Sequence, residues 1–254
     1  TVPEAKTVLL TPQGSVFDLF WAHGIIRKAI EEQKIVASAV NIRDYAEDRH
    51  QVTDDRPYGG GSGMVMKPEP LAGAIRAATR TVPEAKTVLL TPQGSVFDQS
   101  MARELASSGG LILVCGRYEG VDERVCHDLI DYEISTGDYV LTGGELAAMI
   151  VIDAVTRLIP GTLGGEQAAE KDSFADGLLE HAHYTRPRTF EGNEVPGVLL
   201  SGHHREIDKW RLESSLMRTL LKRSDLLQKK DLDQQEIEIL KKWHRVIQNI
   251  INKH

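Results

Sequence analysis

Three short glycine-bearing turns offer backbone that a ligand could approach closely: TPQG at 91–94, GRYEG at 116–120 and GGE at 143–145. Each follows a short apolar run, at 86–91, 110–115 and 139–142, and helical patterns at 98–108 and 121–130 lie between them. That alternation predicts parallel strands. In open α/β sheets ligands bind beyond the carboxyl ends of the strands, where glycine lets main chain come near. A single such loop merely ends a strand; three at one edge predict a small-molecule pocket. A second candidate lies in the segment 204–222, where Arg211, Arg218 and Lys222 follow the spacing of Trp210, Met217 and Leu221 one step round. This predicts a helix with a basic stripe beside an apolar one, suited to an anionic partner or simply amphipathic at a surface.

The remaining polar residues each have two accounts. Asp172 opens DSFADGLLE, where it would cap a helix, with Asp176 nearby. Arg157 would be a cation at the end of the helix 147–159, which Pro160 stops. Asp54 and Arg56 are a solvated pair or a binding loop, and Tyr118 and Tyr139 suit packing as well as ligand contact. His183, His203 and His204 lack companion ligands, so no metal site is expected. GGGSG at 59–63 could cradle a phosphate but lacks the lysine of a P-loop, and no GxGxxG, HExxH, GxSxG or CxxC occurs.

These residues need a frame, and the chain is long enough to supply one. Its 254 residues are 41% hydrophobic and 26% charged, which fits a globular protein and excludes wholesale disorder. Two cysteines, Cys115 and Cys126, exclude a disulfide scaffold, and no uncharged apolar run of spanning length occurs. A soluble protein of a reducing, cytoplasmic compartment is expected. The net charge of −7 argues against nucleic acid, but the sum hides an asymmetry. Residues 1–171 carry 16 basic and 24 acidic side chains; residues 172–254 carry 14 and 13, with six of the nine histidines. The tail is therefore the better candidate for an anionic partner.

Beyond the three strands, a helix is expected over 21–33, a strand over 35–42, helices over 69–80, 147–159 and 204–222, and a last helix in 229–253 with Ile237, Leu240, Ile247 and Ile251 on its apolar face. Residues 1–18 are identical to residues 81–98, surface positions included. Packing cannot require that identity, so the first copy reads as an artefact and stays out of the functional inference.

In order along the chain stand DDRPYGGGSGM (54–64), TPQG (91–94), VCGRYEGVDER (114–124), STGDYVLTGGE (135–145), RLIPG (157–161), DSFADGLLE (172–180), HYTRP (183–187) and SGHHREIDKWR (201–211). This set closely resembles the bacterial tRNA (guanine-N1)-methyltransferases of the SPOUT class, from residue 19 to about 225. The resemblance implies an α/β fold with a mostly parallel sheet and a deep trefoil knot, where strand periodicity alone suggests a Rossmann-like sheet. It implies a knotted cofactor-binding domain at 1–161, a linker at 162–171 and a small all-helical tRNA-binding domain at 172–254. S-adenosyl-L-methionine would be held by Leu89, Leu90, Thr91 and Pro92, by Gly116 and Tyr118, and by Thr136, Gly137, Asp138, Tyr139, Val140, Leu141, Gly143 and Gly144. The resemblance also implies a homodimer with shared active sites and transfer of methyl to N1 of the guanine 3′ of the anticodon, guanine 37.

Such a reaction needs a methyl sulfonium in line with N1, a base for the N1 proton and a donor to O6. The resemblance assigns the base to Asp172 and the O6 donor to Arg157. It places Asp54, Arg56 and Glu119 at the substrate, with Glu119 at the guanine edge or beside Mg²⁺, a further candidate cofactor. RNA contacts fall to Arg186, Lys209, Arg211, Arg218 and Lys222. The chain departs from the family at Ser62 and Ala147, where prolines are usual, at Thr136, and where the duplicated segment replaces the first strand, leaving that strand in doubt. The competing functions are ribose 2′-O methylation, RNA binding without catalysis, and nucleotide-dependent regulation through GGGSG.

Overall fold

Six consecutive uncharged residues, Gly110–Cys115, form the strand around which the sheet is built, and all six are buried. The computed structural model describes residues 5–165 and 169–253 and divides into two compact units, Thr1–Glu166 and Gln167–His254. In chain order the first unit contains β1 (Ala5–Thr11), α1 (Asp18–Trp21), α2 (Gly24–Glu31), β2 (Ile35–Asn41), β3 (Asp54–Asp55) and β4 (Val65–Met66). There follow α3 (Pro68–Thr81), β5 (Lys86–Val96), α4 (Gln99–Ala106), β6 (Gly110–Cys115), α5 (Glu123–Leu129), β7 (Tyr132–Ser135) and α6 (Glu145–Thr156). The main sheet has the order β2-β1-β6-β5-β7, with every pairing parallel.

A parallel sheet is covered on both faces, and period-two alternation sorts its side chains between them. Leu9, Leu111 and Leu113 pack with Ile26 of α2, Leu105 of α4 and Val151 of α6. Val8, Leu10, Ile112 and Val114 face the other way, against Leu71 and Ile75 of α3. The first copy of the duplicated segment supplies β1, an interior strand between β2 and β6, so the N-terminal strand left in doubt is present.

The edge strand is a correction. Residues 139–142 are not a strand; the edge is Tyr132–Ser135, paired with β5. Gly137, at φ 144°, turns the chain directly after Ser135, and Tyr139 N–H donates to the Gly137 carbonyl at 2.9 Å. The chain thereby leaves the ladder, and Tyr139 and Val140 stand exposed.

The second unit is not all-helical. It holds α7 (His204–Lys222), α8 (Ser224–Lys229) and α9 (Gln234–Ile251), together with an antiparallel hairpin of β8 (Thr189–Phe190) and β9 (Asn193–Glu194). Of the expected linker 162–171, residues 166–168 lie outside the described residues. DSFADGLLE is a turn rather than a helix: Phe174 has φ 70°, and its N–H donates to the Leu178 carbonyl at 2.7 Å. Asp172 therefore caps no helix. The apolar faces are also shifted. Leu216 and Thr219 are the buried residues of α7, while Met217 and Leu221 are exposed. In α9, Ile239 and Glu236 are buried, whereas Ile247 and Ile251 are exposed. The core here is one narrow seam of Leu178, Leu216 and Ile239, so it covers less of each helix than the hydrophobic pattern offers. Glu236 is buried because it closes a capping box with Asp233 and meets Lys230 at 3.4 Å.

Between β6 and α5, Asp122 secures the turn. Its carboxylate accepts from the Arg124 N–H at 3.1 Å, and its own N–H donates to the Met66 carbonyl at 3.1 Å. The Arg124 guanidinium beside it holds the carboxyl below the usual aspartate range. Asp122→Ala is therefore expected to destabilise by ~1 kcal/mol, the usual worth of a lost cap. Because the folded pKa is depressed, the contribution is present above the unfolded value near ~3.9 and is lost as pH falls through the folded one. Denaturation midpoints at pH 7 should separate the variant from wild type, and the gap should close in strong acid.

Candidate functional site

The bulge in the middle of β5 and the carboxyl ends of β6 and β7 open onto one cavity of about 290 Å³. Leu89–Gln93 line it from β5, Gly116–Val121 from the turn after β6, and Ser135, Thr136 and Tyr139–Gly144 from the turn before α6. All three expected segments reach it, but TPQG is not a strand end: it bulges within β5, which resumes pairing at Ser95, and Gly94 does not line the cavity. Of the residues assigned to the cofactor, Leu89, Leu90, Thr91, Pro92, Gly116, Tyr118, Thr136, Tyr139, Val140, Leu141, Gly143 and Gly144 line it; Gly137 and Asp138 do not.

Glu145, at the start of α6, ties the walls together. Its side chain is 5% exposed and accepts from the Thr11 hydroxyl at 2.8 Å and from Arg117 Nε at 2.9 Å. Arg117 also donates to Gln13 Oε1 at 2.8 Å. The carboxylate sits in the first turn of α6, where the helix dipole favours negative charge. Gly144 brings this turn against β6: a Cβ there would lie 2.7 Å from Cys115 Cα, so only glycine fits. Its N–H donates to the Gly116 carbonyl at 2.8 Å.

Thr136, a departure from the family, accepts from the Tyr139 hydroxyl at 3.2 Å, so it anchors the ring folded over Gly137. Tyr118 has φ 60° and is 55% exposed. Glu119 lies on the cavity wall and over the glycine loop: a Cβ on Gly63 would collide with its carboxylate, and Gly63 has φ 89°. Glu119 N–H donates to the Met64 carbonyl and Met66 N–H to that of Gly120, at 3.0 and 2.9 Å. GGGSG therefore buttresses the wall through Glu119 rather than lining the cavity. Asp54, half-buried in β3, and exposed Arg56 form no ion pair with each other among the described contacts; the Arg56 N–H donates to Asp55.

Sequence reasoning did not single out Gln93, Arg117, Thr142 or Cys126 as lining residues. Arg117 lies within GRYEG and Thr142 just before GGE, so motif membership was the available signal; nothing marked Cys126. Burial pushes the Cys126 thiol up to about 11, and that of Cys115 well above its ordinary value, so both are poor nucleophiles.

Arg157 is half-buried at the end of α6 and does not line the cavity. Asp172 belongs to the second unit, in a concavity of about 470 Å³ with Asp176, Glu180, His183, Asp208 and Arg211. There His183 does have companions, contrary to expectation: its Nε2 lies 2.8 Å from Glu180 Oε1, and its ring centroid 4.5 Å from that of His181. Arg186, Lys209, Arg211 and Lys222 are exposed, and Arg211 pairs with Asp208 at 3.2 Å. Arg218 is half-buried, and its Nε is buried without a hydrogen-bond partner.

A family model described as tRNA (Guanine-1)-methyltransferase TrmD matches residues 4–229. The chain is 55% identical over 244 residues to a tRNA (guanine-N(1)-)-methyltransferase of Desulfatibacillum aliphaticivorans, covering 96% of this chain and 93% of that protein. It is 55% identical over 235 residues to the protein of the same name from Geobacter sulfurreducens, covering 92% and 96%. A third, from Carboxydothermus hydrogenoformans, is 54% identical over 212 residues, covering 84% and 83%.

Removing Glu145 tests the hub that shapes the cavity. Glu145→Ala leaves Arg117 without its buried counter-charge and is expected to cost about 3 kcal/mol, the low end for a broken buried pair because Arg117 keeps Gln13 and some solvent. Glu145→Gln retains hydrogen-bonding capacity and should lose less. Urea denaturation midpoints would rank the three proteins; equal midpoints would remove the hub from the account.

Proposed function

Because the chain belongs to the tRNA (guanine-1)-methyltransferase family, we propose that it transfers the methyl group of S-adenosyl-L-methionine to N1 of guanine 37, the guanine 3′ of the anticodon in tRNA. The observation that carries this reading is the meeting of the β5 bulge with the glycine-bearing turns after β6 and before α6 in one cavity of about 290 Å³. That volume lies at the small end for a compact ligand site. Its lining alternates apolar side chains, such as Leu89 and Ile134, with backbone and hydroxyl groups able to orient a nucleoside.

S-adenosyl-L-methionine supplies an electrophilic methyl group when bound. The work left to this chain is placement and proton transfer. Leu89–Pro92, Gly116, Tyr118 and the 136–144 loop hold the cofactor. Asp172 takes the N1 proton of guanine. Arg157 donates to O6 as negative charge grows there, and Glu119 reads the guanine edge, with Asp54 and Arg56 beside the substrate. A target base must leave its stack to enter such a pocket, and Arg186, Lys209, Arg211, Arg218 and Lys222 hold the surrounding phosphates. Among the described residues, the group of three ligand-type side chains that could hold a metal ion does not include Glu119.

The finer architecture belongs to the same proposal. The 89–94, 114–120 and 136–144 loops form a trefoil knot in a cofactor domain at 1–161. The tail, 172–254, binds tRNA, and a homodimer lets the tail of one copy complete the other's site. Exposed Val140, Leu146 and Ile150, next to the cavity and on α6, support coverage by a second copy. No helix among the described residues is long and apolar enough to cross a membrane, and a tRNA substrate places the enzyme in the cytoplasm.

Incubation with methyl-labelled cofactor and unmodified tRNA is expected to yield 1-methylguanosine with G at position 37 and nothing with A there. Ribose-methylated product would favour the 2′-O rival instead. Asp172→Asn should lower turnover by roughly 10² to 10⁴ while leaving the unfolding midpoint intact; near-normal turnover would remove Asp172 as the base.

Replacing Arg211, Arg218 and Lys222 together by alanine should weaken tRNA binding at low salt. The slope of log affinity against log salt should fall by roughly two, since three fewer phosphate contacts release fewer counterions. Calorimetric affinity for S-adenosylhomocysteine should stay the same. An unaltered slope would return these residues to the ordinary wet face of a helix.

A further inference from the structure

We propose that Glu180, His181 and His183 form a binding site for a divalent transition-metal ion of the Zn²⁺ class. Nothing in the methyl-transfer reading uses His181, and the site does not depend on that reading. One ligand atom from each of the three residues lies within 4.8 Å of the others. Ligands around a tetrahedral Zn²⁺, at about 2.1 Å from the ion, stand roughly 3.4 Å apart. A small rotation of three side chains therefore closes the set.

The backbone is already held for this. Residues 179–185 belong to no helix or strand, yet Glu180, His181 and His183 turn their side chains toward one another. Three hydrogen bonds fasten the stretch to its surroundings: Leu179 N–H to Thr219 Oγ1 at 2.9 Å, Ala182 N–H to Ser214 Oγ at 3.0 Å, and Glu180 N–H to Ser173 Oγ at 3.0 Å. The two rings sit 4.5 Å apart between centroids, and Glu180 Oε1 is 2.8 Å from His183 Nε2. His181 Nδ1 lies 3.1 Å from the Ala182 carbonyl. Donation there fixes the tautomer that leaves Nε2 as a lone-pair ligand, the usual outer-shell support of a metal-bound histidine.

The chemistry of the donors selects the ion. Two imidazoles and one carboxylate suit Zn²⁺, Co²⁺ or Ni²⁺, whereas Mg²⁺ and Ca²⁺ prefer oxygen alone. Three protein ligands leave a fourth position open to water. The competing account is a plain Glu180–His183 ion pair with His181 stacked beside it, which needs no metal.

Co²⁺ is the spectroscopic probe. Titrated into the full chain, it is expected to bind one equivalent with the visible absorption of a four-coordinate N/O site. Zn²⁺ should displace it, and a large excess of Mg²⁺ should not. His181→Asn and His183→Gln should each weaken Co²⁺ binding at least tenfold without changing the metal-free unfolding midpoint; Glu180→Gln, which keeps a hydrogen bond to His183, should also weaken it. Variants at His203 and His204 should bind as wild type does. Absence of stoichiometric binding, binding untouched by the His181 and His183 changes, or loss through His203 or His204 would each overturn the site.

Discussion

A carboxylate taken out of water must be met by donors, and Glu145 is met from two directions that are far apart in sequence. Thr11 reaches it from the end of β1 and Arg117 from the turn after β6, while Glu145 itself opens α6. Arg117 then passes the connection on to Gln13. Each partner is short of alternatives: Thr11 is fully buried, and the Arg117 side chain is 21% exposed. The cost of burying the pair is offset only if the loops that carry it stay in register. The cavity at the strand ends is the space left between those loops, so its shape follows from this contact and from the close packing of Gly144 on Cys115.

The two units differ in what they present. The first carries a pocket lined by backbone, hydroxyls and a few apolar side chains. The second carries Asp172, the basic residues of α7 and a histidine pair, and the buried apolar core among its described residues is Leu178, Leu216 and Ile239. Such a small seam accounts for the apolar residues left exposed along α7 and α9.

Much of this was legible in the residues. The glycine-bearing turns at 116–120 and 143–145, the parallel strands at 86–91 and 110–115, and the helices about 69–80 and 204–222 all follow from local pattern, because a buried parallel strand is a continuous apolar run and a helix repeats every three to four residues; TPQG does not end its strand. Eight motifs in fixed order identified the family. The misses share a cause. Residues 139–142 look like a strand but have no neighbour to pair with after Gly137 turns the chain; DSFADGLLE looks like a helix, but Phe174 and Gly177 adopt left-handed backbone. The grouping of Glu180, His181 and His183 has no sequence signal because it is spatial: an irregular segment pinned by Ser214 and Thr219 of α7.

The duplicated segment separates the two kinds of information. Residues 5–11 and 86–91 are strands in both copies, and in both the glutamine N–H two residues after the threonine turns back to its hydroxyl, at 3.0 Å for Gln13 and 3.3 Å for Gln93. Beyond that point the identical residues part. In the second copy β7 lies alongside, so Ser95 and Val96 pair with Ile134 and Ser135 and the strand runs on to Val96. In the first copy the neighbour is β2, which ends at Asn41, and the chain closes into a 3₁₀ turn that buries Phe17. The sequence alone determined the apolar strand and the local turn, since those need only nearby atoms. Where the chain went next was decided by which strand stood beside it, because an extended backbone persists only where a neighbour accepts and donates its hydrogen bonds.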